Sequence, residues 1–116
     1  MVRTYEPIYD VNYRIVGWMI IPMELDISDG NPSEPIEVEG LRFHTWEVFT
    51  NASGSNVTVV MQISQDGSNW TDVASWTGTG NSGIQPQVDH KVRYVRFNPS
   101  DTGDATSIKV KYSAQT

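Results

Sequence analysis

The strongest constraint on the fold is a pair of apolar segments that flank a short polar turn. Every second residue of 57–63 is apolar, and a return segment covers 70–76. The turn between them contains Asp66 and Gly67. An Asp-Gly pair between alternating segments is a strong hairpin signal, because glycine adopts the positive φ that such turns require. The sequence therefore predicts an antiparallel hairpin over 57–76.

The rest of the chain follows the same plan of short apolar segments separated by polar turns. The clearest of these segments are 36–39, 41–49, 92–97 and 107–113. Within 41–49 the apolar parity changes near Trp46, which predicts a bulge or corner there. With 116 residues the chain can build one hydrophobic core. The predicted fold class is all-β, with the strands in an antiparallel sandwich or barrel.

The first part of the chain has a different character. Residues 28–35 are dense in Gly, Pro, Asn and Ser, so they predict a loop. This loop divides the chain into an N-terminal arm and linker, residues 1–32, and a β-sandwich domain, residues 33–116. Within the arm, Pro22 is expected to end or edge a strand that covers 11–21.

The predicted arm is unusually apolar. Residues 11–21 carry apolar side chains on both parities, as in a strand that is covered on both faces. Exposed apolar surface and exposed strand edges invite pairing with another chain. The candidate partner-binding residues are Tyr9, Tyr13, Ile15, Trp18, Met19 and Ile20.

Charge and residue types exclude several functions. The net charge is -6, which repels nucleic acid, and the chain has no cysteine for a thiolate metal site. His44 and His90 lie far apart in sequence, so no metal or cofactor is expected. The acidic residues stand among turn formers, and no nucleophile–histidine–acid set is apparent, so we predict that the chain is not an enzyme. A weak alternative is calcium bound by Asp26, Asp29 and Asn31.

The second half of the chain resembles a known family. Residues 59–73, VVMQISQDGSNWTDV, are similar to the hairpin of discoidin-type, galactose-binding-like sandwiches, in which Ser-x-Asp-Gly precedes a Trp. Residues 93–96, RYVR, match the strand that follows in that family, and an alternating strand at 108–112 closes both. The resemblance implies a jelly-roll sandwich. The same signature occurs in carbohydrate-binding modules, adhesion domains and phage virion proteins.

The expected function combines the resemblance with the arm. No basic-then-apolar export signal opens the chain, and the apolar run at 15–23 is shorter than the roughly 20 residues that span a bilayer. We therefore expect a bacteriophage virion protein that is made in the host cytoplasm, namely a capsid decoration protein that binds capsid or other virion proteins and forms homo-oligomers. The alternatives are a receptor-binding tail accessory protein and a carbohydrate-binding module that uses Trp76 and Tyr94.

Overall fold

The computed structural model describes residues 6–116, except for the side chains of Val16 and Ile21. The first five residues of the predicted arm lie outside the described residues. Within 6–116 the chain forms β-strands and no helix, so this part contains no helix able to cross a membrane. The strands are β1 (Glu6–Tyr9), β2 (Ile15–Asp26), β3 (Ile36–Glu37), β4 (Phe43–Thr50), β5 (Val57–Ser64), β6 (Thr71–Gly78), β7 (Asn81–Ile84), β8 (Val88–Asp89), β9 (Tyr94–Asp101) and β10 (Ile108–Gln115).

The strands form two antiparallel sheets that pack together, which confirms the predicted all-β sandwich. The six-stranded sheet has the order β1-β2-β10-β4-β7, with β8 paired to β4. The four-stranded sheet has the order β3-β9-β5-β6. Loop residues such as Val38, Leu41 and Val92 also belong to the core, so loops as well as strands cover the inner face of the larger sheet.

Alternating side chains from both sheets form the core. On β4 and β10, Trp46, Val48, Val110 and Tyr112 are buried, and they meet Phe97 of β9. The Phe97 ring lies 5.2 Å from the Trp46 ring and 5.5 Å from the Tyr112 ring, measured between centroids. Aromatic pairs at these distances and tilts add to the stabilisation that burial alone provides.

The segment predicted to be an arm contributes a long strand to the sandwich. From Met19 to Asp26, β2 pairs with β10 at the centre of the six-stranded sheet. Pro22 lies inside this strand and does not end it. It falls where the pairing shifts, since Tyr112 pairs with Met23 whereas Ala114 pairs with Ile20. A bulge accommodates a proline because the residue there has no ladder hydrogen bond to donate.

The β5–β6 hairpin is confirmed, with its turn organised by Asp66. The Asp66 carboxylate accepts hydrogen bonds from the backbone N–H groups of Asn69 and Ser68, each at 2.8 Å, and from the Asn69 side chain at 2.7 Å. These bonds, with the Asn69 backbone N–H contributing most, hold the pKa of Asp66 well below its usual range. Gly67 has a φ of 78°. The turn therefore depends on a carboxylate and on a left-handed glycine.

Replacing that glycine tests the turn. A Cβ at position 67 would lie 3.7 Å from the Tyr94 ring, an ordinary contact, so the cost comes from the backbone. We expect Gly67→Val to lower the free energy of unfolding by about 1 kcal/mol or more, because β-branched residues resist positive φ. Gly67→Asn should cost less, since asparagine tolerates this region. Urea unfolding measures both, and a valine variant with the wild-type midpoint would contradict the assignment.

Candidate interaction surface

The β1–β2 hairpin carries a cluster of exposed apolar side chains. Pro7 pairs with Trp18, and Tyr9 pairs with Ile15. Directly paired residues point to the same side of a sheet, so all four lie on one face of the hairpin. Tyr9 is 55% exposed, Ile15 52% and Trp18 44%. We call this set of four residues the overhang face.

The overhang face continues the inner face of the six-stranded sheet. Ile20 pairs with Ala114, and both belong to the core. Trp18 stands two positions before Ile20 and exchanges hydrogen bonds with Thr116, which follows Ala114 at the same spacing. Trp18 therefore points to the core side of the sheet. Since Ile20 is fully buried and Trp18 is 44% exposed, the cover over this inner face ends between these two residues.

A fixed turn holds the tip of the hairpin. The Asp10 carboxylate accepts hydrogen bonds from the backbone N–H groups of Asn12 at 2.8 Å and Arg14 at 3.0 Å. These bonds, chiefly the one from Arg14, lower the pKa of Asp10. Tyr13 has a φ of 61°, and its side chain, like that of Val11, is almost fully exposed. The tip thus presents two more apolar side chains on a hydrogen-bonded turn.

The structure divides the six predicted partner-binding residues. Tyr9, Ile15 and Trp18 lie together on the overhang face, and Tyr13 lies beside them at the tip. Met19 pairs with Gln115 and points to the outer face. Ile20 was wrongly grouped with them, because its side chain is buried in the core of its own chain. Four of the six candidates are therefore available to a partner on the hairpin.

The two predicted glycan-binding residues do not share a surface. Trp76 pairs with Val59, so it points inward and packs against the core. Tyr94 pairs with Ser64 on the outer face, where its ring is buried beneath Gly67. The Arg93 guanidinium lies 5.2 Å from the centre of this ring. Two aromatic residues on opposite faces of one sheet cannot form a joint platform for a sugar.

The loop acids have local structural partners. Asp26 accepts hydrogen bonds from the side chain of Ser28 at 2.6 Å and from its backbone N–H at 3.0 Å, and the first of these contributes most to lowering the Asp26 pKa. Asp29 accepts one from the backbone N–H of Asn31. Asp104 binds the N–H groups that precede β5. In the described part of the chain, His, Asp and Glu form no group of three or more suited to a metal ion.

A buried histidine is the polar feature that the sequence pattern did not predict. His44 is fully buried; its Nδ1 lies 2.7 Å from the Tyr112 hydroxyl and its Nε2 lies 2.8 Å from the His90 carbonyl oxygen. The carbonyl can only accept, so Nε2 donates, and Nδ1 accepts from Tyr112. The predicted bulge near Trp46 does not lie on β4, which pairs with β10 without a register shift. The pairing with β7 does shift there, since Glu47 pairs with Ile84 and Phe49 with Asn81, but the extra residue lies on β7. His44, Trp46 and Val48 point inward together.

Burial gives His44 a measurable effect on stability. It lowers the pKa of His44 by disfavouring the imidazolium, while the bond to the His90 carbonyl acts in the opposite direction. With a folded pKa below the unfolded value of about 6.5, the stabilisation is complete above pH 6.5 and is lost as the pH falls towards the folded pKa. Carboxyl groups with lowered pKa values change the free energy of unfolding below about pH 4, outside this window.

We therefore expect the free energy of unfolding to decrease between pH 6.5 and 5, by at most about 1.4 kcal/mol per pH unit. In His44→Gln the decrease should vanish, whatever the variant's stability at neutral pH. His90→Gln should retain it, because His90 contributes only its backbone carbonyl to the contact. Denaturant unfolding at several pH values measures the slope. A slope that persists in His44→Gln would show that another group is responsible.

Comparisons with protein-family models, curated proteins and solved structures found no match for the chain. The resemblance to discoidin-type sandwiches is therefore a prediction that rests on residues 59–73 and 93–96. Among the described residues, the overhang face is the strongest candidate for a functional surface, because it is apolar, exposed and built on paired strands.

Proposed function

We propose that this chain is a bacteriophage virion structural protein, namely a capsid decoration protein that binds the major capsid protein through its β1–β2 hairpin. The observation that carries the proposal is the overhang face, an exposed continuation of a core surface. The virion setting comes from the sequence resemblance, since domains with this signature recur among phage particle proteins. A tail accessory protein would use the same surface in the same way.

The free energy available from burying the exposed apolar side chains favours binding through the hairpin. Burying a large apolar side chain completely contributes roughly 1.5–3 kcal/mol, and about half of each of the Tyr9, Ile15 and Trp18 side chains is still exposed. Trp and Tyr are the residues that most often dominate the free energy of binding at protein interfaces. Because Tyr9, Ile15 and Trp18 stand on paired strands, little backbone order has to be gained on binding. A partner strand or sheet could thus complete the missing cover.

The acidic surface supports a protein partner over nucleic acid. The net charge is -6, and the Arg14 side chain at the hairpin tip is already paired with Asp10, Nε to Oδ2, at 3.2 Å. The alternative of a carbohydrate-binding module has less support, because Trp76 and Tyr94 lie on opposite faces of the four-stranded sheet. We propose that the completed assembly is carried on the virion after its formation in the host cytoplasm.

The proposal predicts that polar substitutions on the overhang face abolish attachment and preserve the fold. Deleting residues 1–22 is unsuitable as a test, because the deletion removes the buried Ile20 and part of the β2–β10 ladder. The double variant Ile15→Ser/Trp18→Ser alters only partly exposed side chains. We expect it to unfold cooperatively near the wild-type midpoint and to lose at least tenfold in affinity for capsid shells that lack the protein. Co-sedimentation with purified shells measures the binding.

Ile84→Ser is the matched control, because Ile84 is an exposed aliphatic residue on β7, at the opposite edge of the same sheet. It should bind shells like the wild type. Equal loss of binding in both variants, or undiminished binding of the double variant, would exclude the overhang face. Mass spectrometry of purified particles tests the virion setting separately: absence of the chain from particles of the virus that encodes it, or a gene outside any viral genome, would refute that part.

A further inference from the structure

The edge strand β6 is the longest of the strands that end a sheet in residues 6–116. At the other three edges, β1 has four residues including Pro7, β3 has two, and β7 and β8 are short separate strands. Short edge strands, prolines and lysines are the usual protection against pairing with another chain. β6 has eight residues, pairs only with β5, and contains no Pro, Lys or Arg. Every second residue of β6 thus directs its backbone N–H and C=O away from β5.

Cavities lie on both sides of this edge. One of about 490 Å³ is lined by Val73–Ser75, by Trp46 and by the segment 85–90. Another of about 370 Å³ is lined by Asp72 and the same three residues of β6, and by Thr58 and Val60 of β5. A strand added to β6 would place its side chains alternately above and below the sheet, and therefore next to both cavities.

We propose that β6 pairs antiparallel with β6 of a second copy, about a two-fold axis near Ser75. The segment 74–78 has no charged side chain, so two copies meet there without like charges opposite one another, although the chain as a whole carries a net charge of -6. Asp72, the one charged residue of β6, lies before this segment and accepts a hydrogen bond from Gln62. A second copy of β6 can therefore pair with this segment without charge repulsion. A charged partner strand would find no opposite charge there with which to form an ion pair.

The side chains also favour this register. Ala74 and Trp76 pair with the core residues Met61 and Val59, so both lie on the inner side of β6. Pairing about Ser75 sets Trp76 of one copy opposite Ala74 of the other, beside the larger cavity. Val73 is the extra residue where the β5–β6 pairing shifts, and in this register it lies opposite Thr77, while Asp72 lies opposite the uncharged Gly78. The interface therefore joins two four-stranded sheets into one continuous sheet.

This association is independent of the proposed attachment to capsids. β6 belongs to the four-stranded sheet and lies beside Trp46 and 85–90, whereas the hairpin forms the β1 edge of the other sheet. The overall repulsion between copies is screened beyond about 8 Å at physiological ionic strength. Self-association should accordingly strengthen as salt is added.

A single introduced cysteine tests the pairing, because the chain has none of its own. Ser75 is exposed, so Ser75→Cys should fold normally. Directly opposed residues have Cβ atoms about 4.5–5.5 Å apart, close enough for a disulfide after a small adjustment. With oxidised glutathione we expect most of the Ser75→Cys protein to become a covalent dimer. Asn81→Cys, an exposed residue on the β7 edge, should cross-link at least tenfold more slowly.

Sedimentation equilibrium of the full-length protein supplies the second readout. Ser75→Lys should raise the dimer dissociation constant at least tenfold, whereas Asn81→Lys and the overhang double variant should leave it within twofold. Wild-type protein that remains monomeric up to about 1 mM, a standard free energy of association weaker than -4.1 kcal/mol, would overturn the proposal. Equal cross-linking of the two cysteine variants, or a monomer whose β6 binds only a different protein, would also overturn it.

Discussion

The apolar inner face of the six-stranded sheet continues past the point where its cover ends, and the rest of the account depends on this constraint. Up to Ile20 the two sheets bury each other's side chains. Beyond it, Trp18, Ile15 and Tyr9 continue the same face without cover. An apolar face that stays in contact with water does not gain the free energy that its burial would provide. The hairpin therefore extends the fold and carries exposed apolar side chains at its end.

In the covered part of the sandwich, the core residues constrain the register of the strands. β10 lies between β2 and β4, so one strand sets the register of both neighbours. Its Tyr112 ring packs on Phe97, while its hydroxyl contacts the buried His44. A buried polar pair of this kind favours one arrangement of the strands, because any shift would leave the imidazole without a partner. The rigidity of this core is what positions the hairpin at one edge and β6 at the opposite one.

Local signals were sufficient to predict the hairpin around Asp66 and Gly67, because both the turn and the alternation are encoded within a few residues. The strand at 108–112 was predicted for the same reason. The end of the first long strand was not, since Pro22 is a strand breaker by itself and only the partner strand β10 shows that it lies at a bulge. His44 was missed because an inward histidine looks like a break in parity until Tyr112 and the His90 carbonyl are placed beside it.

The candidate surface was partly predictable for a similar reason. An excess of apolar residues in 11–21 marks a segment that needs cover, but it does not say which side chains the chain covers itself. Ile20 and Trp18 have the same parity and differ only in whether the second sheet reaches them. The difference in their burial depends on how far the elements packed on this face extend along β2, which no local pattern encodes. Likewise, the opposite orientations of Trp76 and Tyr94 follow from pairing with residues distant in sequence. Trp76 pairs with Val59, 17 positions before it, and Tyr94 pairs with Ser64, 30 positions before it.

The most direct test of the central claim is a cryo-electron microscopy reconstruction of capsid particles saturated with the full-length protein. The account predicts that Tyr9, Ile15 and Trp18 pack against another polypeptide, with heavy atoms within about 4.5 Å of it. The four-stranded sheet should keep its outer face in solvent. A reconstruction in which the overhang face points to solvent while another surface contacts the capsid would contradict the account.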